Sequence, residues 1–157
     1  MALTAHQLAT ADARRDRLLR LGRAFPEVDV DPAGRGHEAF RVRTKAFAYR
    51  AVDHHGDGRI ALWVKSTRVA QARAVHDDPV HAFVPAYVGA QGWLGLRLDL
   101  DEVRWDAVAA RLRDAYLASA PKALAARVLG DGPVTSAPRP DAPARSPRRP
   151  RTRRPRR

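Results

Sequence analysis

Between Trp93 and Leu100 the chain alternates without a break, with Leu94, Leu96, Leu98 and Leu100 on one side and Trp93, Gly95 and Arg97 on the other. Side chains repeat every two residues in a strand and about every 3.6 in a helix, so this run can bury one face only as a strand. It needs partner strands and a cover, and the chain supplies both. From His37 onward, Phe40 and Val42 take one face and Arg41 and Arg43 the other, while a second run groups Phe47, Tyr49 and Ala51. These pair as a hairpin around Thr44. After a turn at Asp53–Gly58, Ile60, Leu62 and Val64 alternate with Arg59, Ala61, Trp63 and Lys65. Residues 82–88 read as a short strand or an extended crossover, for an antiparallel sheet of about five strands.

The cover is helical. Thr4 and Gln7 match a capping box, with Leu3 and Leu8 spaced as its hydrophobic staple. Leu8, Ala11, Leu18, Leu21 and Phe25 then recur near helical spacing, with Arg14, Arg15, Asp16, Arg20 and Arg23 between them. Pro26 ends this helix, because proline disfavours the helical conformation in the residue before it. Residues 29–36 read as a loop. Arg68–Asp77 reads as a short helix with Val69, Ala72 and Val75 inward, closed by Asp78–Pro79. A longer helix runs over Val103–Ser119 with Trp105, Val108, Ala109, Leu112 and Tyr116 on one stripe, and a short one follows Pro121. The expected architecture is a single α+β domain over residues 4–130, with the first and last long helices on one face of the sheet.

Residues 131–157 are a different material. Apart from Val134 they hold almost nothing to bury, so the expectation there is a disordered, extended Arg/Pro tail. Of the net charge of +12, residues 134–157 carry +8 from nine Arg and one Asp, which leaves +4 (twenty basic against sixteen acidic residues) for residues 1–133. Arg outnumbers Lys by 26 to 3, a bias that a GC-rich coding sequence also produces. The absence of cysteine excludes a disulfide framework, a thiolate nucleophile and thiolate metal sites. No apolar run approaches the roughly 18 residues of a membrane span, and the N-terminus has no signal-peptide pattern, so a cytoplasmic protein is expected.

A series of landmarks runs through the domain: Phe25-Pro26-Glu27-Val28, Phe40 to Ala48, Leu62-Trp63-Val64-Lys65, Pro85 to Gly89, Gly92-Trp93-Leu94, and Ala115-Tyr116 followed by Ala120-Pro121-Lys122. In this order and spacing the chain resembles the MmcQ/YjbR family of small bacterial proteins over residues 12–129. The resemblance implies a CyaY-like (frataxin-like) fold and DNA binding through a double-wing arrangement of strands. Ala115 stands where the family often has Ser, and Arg68 where it often has Pro.

Non-enzymatic nucleic-acid binding is the expected function, with duplex DNA the first expectation and RNA the second. Strand parity puts Arg41, Arg43, Lys65 and Arg97 on one sheet face with Trp63 and Trp93, where cations could neutralise phosphates and rings could stack on bases. Lys45 and Arg68 complete the set on the domain. Tryptophan is also highly buried on average, so the same rings read equally as core. In the tail, Arg148, Arg149, Arg151, Arg153 and Arg154 would attract any polyanion without specificity. Asp53, His54, His55 and Asp57, and likewise His76, Asp77, Asp78 and His81, are suitable ligand types for zinc or iron but lack the spacing of a known metal site. No nucleophile elbow, phosphate loop or dinucleotide fingerprint is present. No catalytic residue, metal or cofactor is therefore expected, and a monomer is the default. The alternative is a small-ligand or protein-interaction module built on a cleft near Tyr87 and Trp93.

Overall fold

The computed structural model describes residues 4–130, save the side chains of Gln7 and Leu8. The elements follow in the order α1 (Ala5–Arg23), β1 (Val28–Pro32), β2 (Glu38–Val42), β3 (Lys45–Val52), β4 (Ile60–Val64), α2 (Arg68–Asp77), β5 (Ala82–Phe83), β6 (Leu94–Arg97), α3 (Trp105–Ser119) and α4 (Lys122–Gly130). The strands form one six-stranded sheet in the order β1-β2-β3-β4-β6-β5, antiparallel throughout. The α+β class and the helix positions follow the sequence reading. The Thr4–Gln7 box and the Leu3–Leu8 staple depend on groups outside the described residues, as do the expected tail and its five arginines.

One sheet face carries the main core. Leu18 of α1 and Val108, Leu112 and Tyr116 of α3 are buried against Phe40, Leu62, Val64, Leu94 and Leu96. Helix α1 can approach this closely because Gly22 has no side chain: a Cβ there would lie 2.5 Å from the Phe40 ring. Tyr116 stacks on Phe25 at 4.8 Å and donates its hydroxyl to the carbonyl of Pro26 at 2.8 Å, which ties α3 to the end of α1. Burial raises its pKa, as expected for a phenol that must stay neutral. The same face holds an ionic cluster in which Glu38 accepts from both Arg15 and Arg50, the latter 5% exposed.

Three expectations are corrected. Residues 29–36 are not all loop, since β1 pairs with β2 from Val28↔Val42 to Pro32↔Glu38. Pro32 is tolerated because β1 is an edge strand. The second correction concerns parity: Phe40 pairs with Ala48 and Arg41 with Ala46, so Phe47 is an extra residue, a β-bulge. It turns Phe47 into the helix-side core, 5.6 Å from Tyr116, and leaves only Tyr49 and Ala51 on the opposite face. The third is the inward face of α2, where Gln71 is buried and Val69 is 81% exposed.

The opposite face is not open to solvent either. All five residues of β4 are buried, and Trp63 and Trp93 are 7% and 8% exposed in a second cluster with Ala51 and Ala61. The cover is the connection from β5 to β6, from which Val88 packs onto that cluster. Gln71 holds it in place by donating from Nε2 to the carbonyls of Gly89, at 2.8 Å, and Trp93. Beside it the Phe83 ring lies over Gly95, where a Cβ would come within 2.4 Å.

Candidate functional site

The basic residues singled out in the sequence divide between the two ends of the sheet. Arg43 and Lys45 flank the β2–β3 turn, and the Lys65 amide donates to the Phe47 carbonyl at 2.9 Å, so Lys65 leaves β4 at that same end. Arg68 follows at the start of α2, where its backbone packs against Gly92 just ahead of β6. Gly92 has φ +90° and room for no side chain, which is what brings the two segments together. Arg97 belongs to the other end: it pairs across β4 with Ala61 and forks onto Asp99 at 2.6 and 3.2 Å.

Much of this charge is already matched. Arg41 lies 3.4 Å from Asp31 and Arg43 2.9 Å from Glu27, both carboxylates belonging to β1 or the turn before it. Arg68 donates to the carbonyl of Ala90 at 2.9 Å. Lys45 and Lys65 are exposed and have no ion-pair partner among the described residues. Trp93 is not a stacking platform for nucleic acid; its ring is buried 5.4 Å from Tyr49. That corrects the expectation of an exposed Trp63 and Trp93 surface, and the cause is the β5–β6 connection lying over them.

At the end of the sheet away from Lys45 and Lys65, on the face opposite the helices, lies a cavity of about 500 Å³. Its floor is Tyr49, Ala51 and Trp63, and its rim is Tyr87 and Val88 on one side and His54 and His55 on the other. His54 sits edge-on to Trp63 at 4.7 Å, and His55 is 5.3 Å from Tyr87. His37, Ala33 and Arg50 close the remaining side. Neither the histidines nor Tyr87 could be placed there from periodicity, since they come from three separate connections between strands. The only sequence signal was a pair of histidines in a turn and the landmark containing Tyr87.

The hydrogen bonds fix the protonation of two of these imidazoles. His37 Nδ1 accepts from the Val52 amide at 2.9 Å, so its proton is on Nε2, and that nitrogen faces His54 Nδ1 at 3.4 Å. His54 therefore presents Nε2–H as a donor. Burial, then the neighbouring His54 and the Arg35 and Arg50 charges, lower the His37 pKa; burial and His55 lower that of His54. Both rings are neutral donor–acceptor groups at neutral pH. Among the described residues no three His, Asp or Glu side chains converge as a metal site. The carboxylates of the two His/Asp-rich turns are engaged locally. Asp53 caps the Gly58 amide at 2.8 Å, and Asp78 lies 2.9 Å from His81 Nδ1, which holds the Asp78 pKa below the usual carboxylate range.

No helix among the described residues is long and apolar enough to cross a membrane. No curated protein and no solved structure matches this chain. The sequence profile of the YjbR family matches residues 23–118, more than half of the chain, covering the whole sheet and all of α3 but its last residue. The chain belongs to the YjbR family.

Proposed function

We propose that the protein is a non-enzymatic nucleic-acid-binding protein, with duplex DNA as its preferred partner, that grips phosphates from one end of the sheet and from its arginine-rich C-terminal residues. The observation that carries this reading is the placement of Lys45 and Lys65, exposed, without carboxylate partners and at one sheet end with Arg43 and Arg68. Lys45 starts β3, Arg43 and Lys65 directly follow β2 and β4, and Arg68 opens α2, so the sheet end sets where these cations leave the fold. The nine arginines of residues 134–157 supply the larger share of charge, and their contribution is independent of base sequence. Arg41 and Arg97 are weaker candidates, because each already faces an aspartate.

The test is a salt titration of duplex binding by the full chain. Each phosphate contact adds about −0.9 to the slope of log affinity against log salt. Changing Arg148, Arg149, Arg151, Arg153 and Arg154 to Gln should flatten that slope most, and Lys45→Ala with Lys65→Ala should flatten it further. Duplex affinity indifferent to salt, or to both sets of substitutions, would refute the reading. A second reading, a module that recognises a small ligand, is supported by the cavity beneath Tyr87.

A further inference from the structure

We infer that the cavity beneath Tyr87 is a binding site for a planar nitrogen heteroaromatic ring of the nucleobase class, held between aromatic walls and read at its edge by imidazole and phenol groups. This does not depend on the phosphate contacts, which lie at the other end of the sheet.

Three observations point to that class. The first is shape and surface: the space is about 500 Å³ and is walled by Tyr49, Trp63, His54, His55 and Tyr87. Rings at this density offer offset or edge-on partners to a flat guest, the geometry their quadrupoles favour. The second is charge. No carboxylate lines the cavity, and the Arg50 side chain is turned to the other face onto Glu38, so an organic cation would have only ring faces to hold it. A purely aliphatic guest offers nothing to the polar imidazoles of His37, His54 and His55 that line the cavity, whereas a heteroaromatic edge carries acceptors and donors of its own.

The third observation is backbone strain. Among the described residues six that are not glycine have positive φ, and Asp53 (45°), His55 (54°) and Tyr87 (64°) all belong to the two segments that rim this cavity. A bulky side chain in the left-handed region costs roughly 1–3 kcal/mol. Glycine would relieve that cost at Tyr87, yet the position holds a tyrosine that is 76% exposed and buries little surface in return. Its ring leans over His54 and His55 at 6.0 and 5.3 Å, where it can close on a guest.

A free nucleoside and a base splayed out of a single strand present the same ring, and titration of the full chain separates them. Adenosine, guanosine and single-stranded oligodeoxyadenylate are each added while tryptophan fluorescence is followed; Trp63 floors the cavity and reports directly. Saturable quenching by a nucleoside identifies a free ligand, and saturable quenching by the strand alone identifies a base in a chain. Either supports the site if two variants weaken it about tenfold or more, the scale of losing one stacking partner. Tyr87→Gly removes the ring while suiting φ 64°, and Ala33→Phe fills the cavity from its exposed edge without deleting any wall residue. The inference is overturned if none of the three probes saturates, if both variants titrate like the parent, or if tetramethylammonium binds and the purines do not.

Discussion

The two faces of the sheet are built to different standards. On the helix side, long apolar residues from α1 and α3 interlock with the strands, and Phe47 is bulged out of register to join them. On the other side the buried cluster is only Ala51, Ala61, Trp63 and Trp93, covered by an irregular connection that one glutamine pins in place. The first face carries stability. The second gives up close packing and keeps a cavity lined by rings, and it is there that left-handed backbone accumulates. The ring-lined cavity on which the proposed site rests therefore belongs to the less closely packed face.

The largest expected effect tests the helix side. Glu38→Ala would leave Arg50, whose side chain is 6% exposed, without its counter-charge. Breaking a buried pair in this way costs about 3–5 kcal/mol, to be read from urea unfolding. Glu38→Gln should recover part of that loss, because the amide oxygen still accepts from Arg50.

Next comes the roof. Gln71→Leu keeps the bulk but leaves the carbonyls of Gly89 and Trp93 without donors, a loss of about 1–3 kcal/mol. If the two faces are as distinct as described, this variant should shift tryptophan emission toward exposed values while the helical circular dichroism stays intact. Loss of both together would mean that the faces are a single cooperative core.

Protonation gives a smaller handle on the same face. Because folding lowers the His37 pKa below 6.5, the unfolded chain takes up protons that the folded one refuses. Stability from this source is complete above 6.5 and declines as pH falls below it toward the folded pKa. Burial is the main cause of that shift; of the groups facing His37, His54, Arg35 and Arg50 also oppose the charged form and Asp57 favours it, while at His54 burial is joined by His55 and Arg35 against the charged form and by Asp57 in its favour. His37→Gln should flatten the pH profile of unfolding below 6.5, with little change above it.

The smallest effects belong to the turn-end cations. Arg41→Ala and Arg43→Ala break exposed pairs with Asp31 and Glu27 and should each change stability by less than about 1 kcal/mol. Thermal melts that move no further than this would place both residues outside the framework of the fold.

Local pattern carried most of the architecture and little of the site. Alternation at Leu94 and Leu96 and at Ile60, Leu62 and Val64 described real strands, although β6 stops at Arg97 and not at Leu100, and the stripe through Val108, Leu112 and Tyr116 described a real helix, because each follows from its neighbours. Strand β1 escaped because Asp29, Asp31 and Pro32 resemble a loop until the pairing with β2 is known. The same omission hid the carboxylates that neutralise Arg41 and Arg43. Tryptophan parity identified the face but left stacking surface and core as equal readings of the rings, and burial selects the core. What covers a face is decided by the β5–β6 connection and by Gln71, 22 residues before Trp93, rather than by the strand itself.

The order of the strands has a consequence for crowding. The outermost rows are β1, which shows Asp29, Asp31 and Pro32, and β5, which is two residues long. One border repels and interrupts an incoming strand and the other is too short to template one, so neither invites lateral stacking of sheets from separate molecules. Lateral growth of the sheet from either border is thus disfavoured by the edge strands themselves.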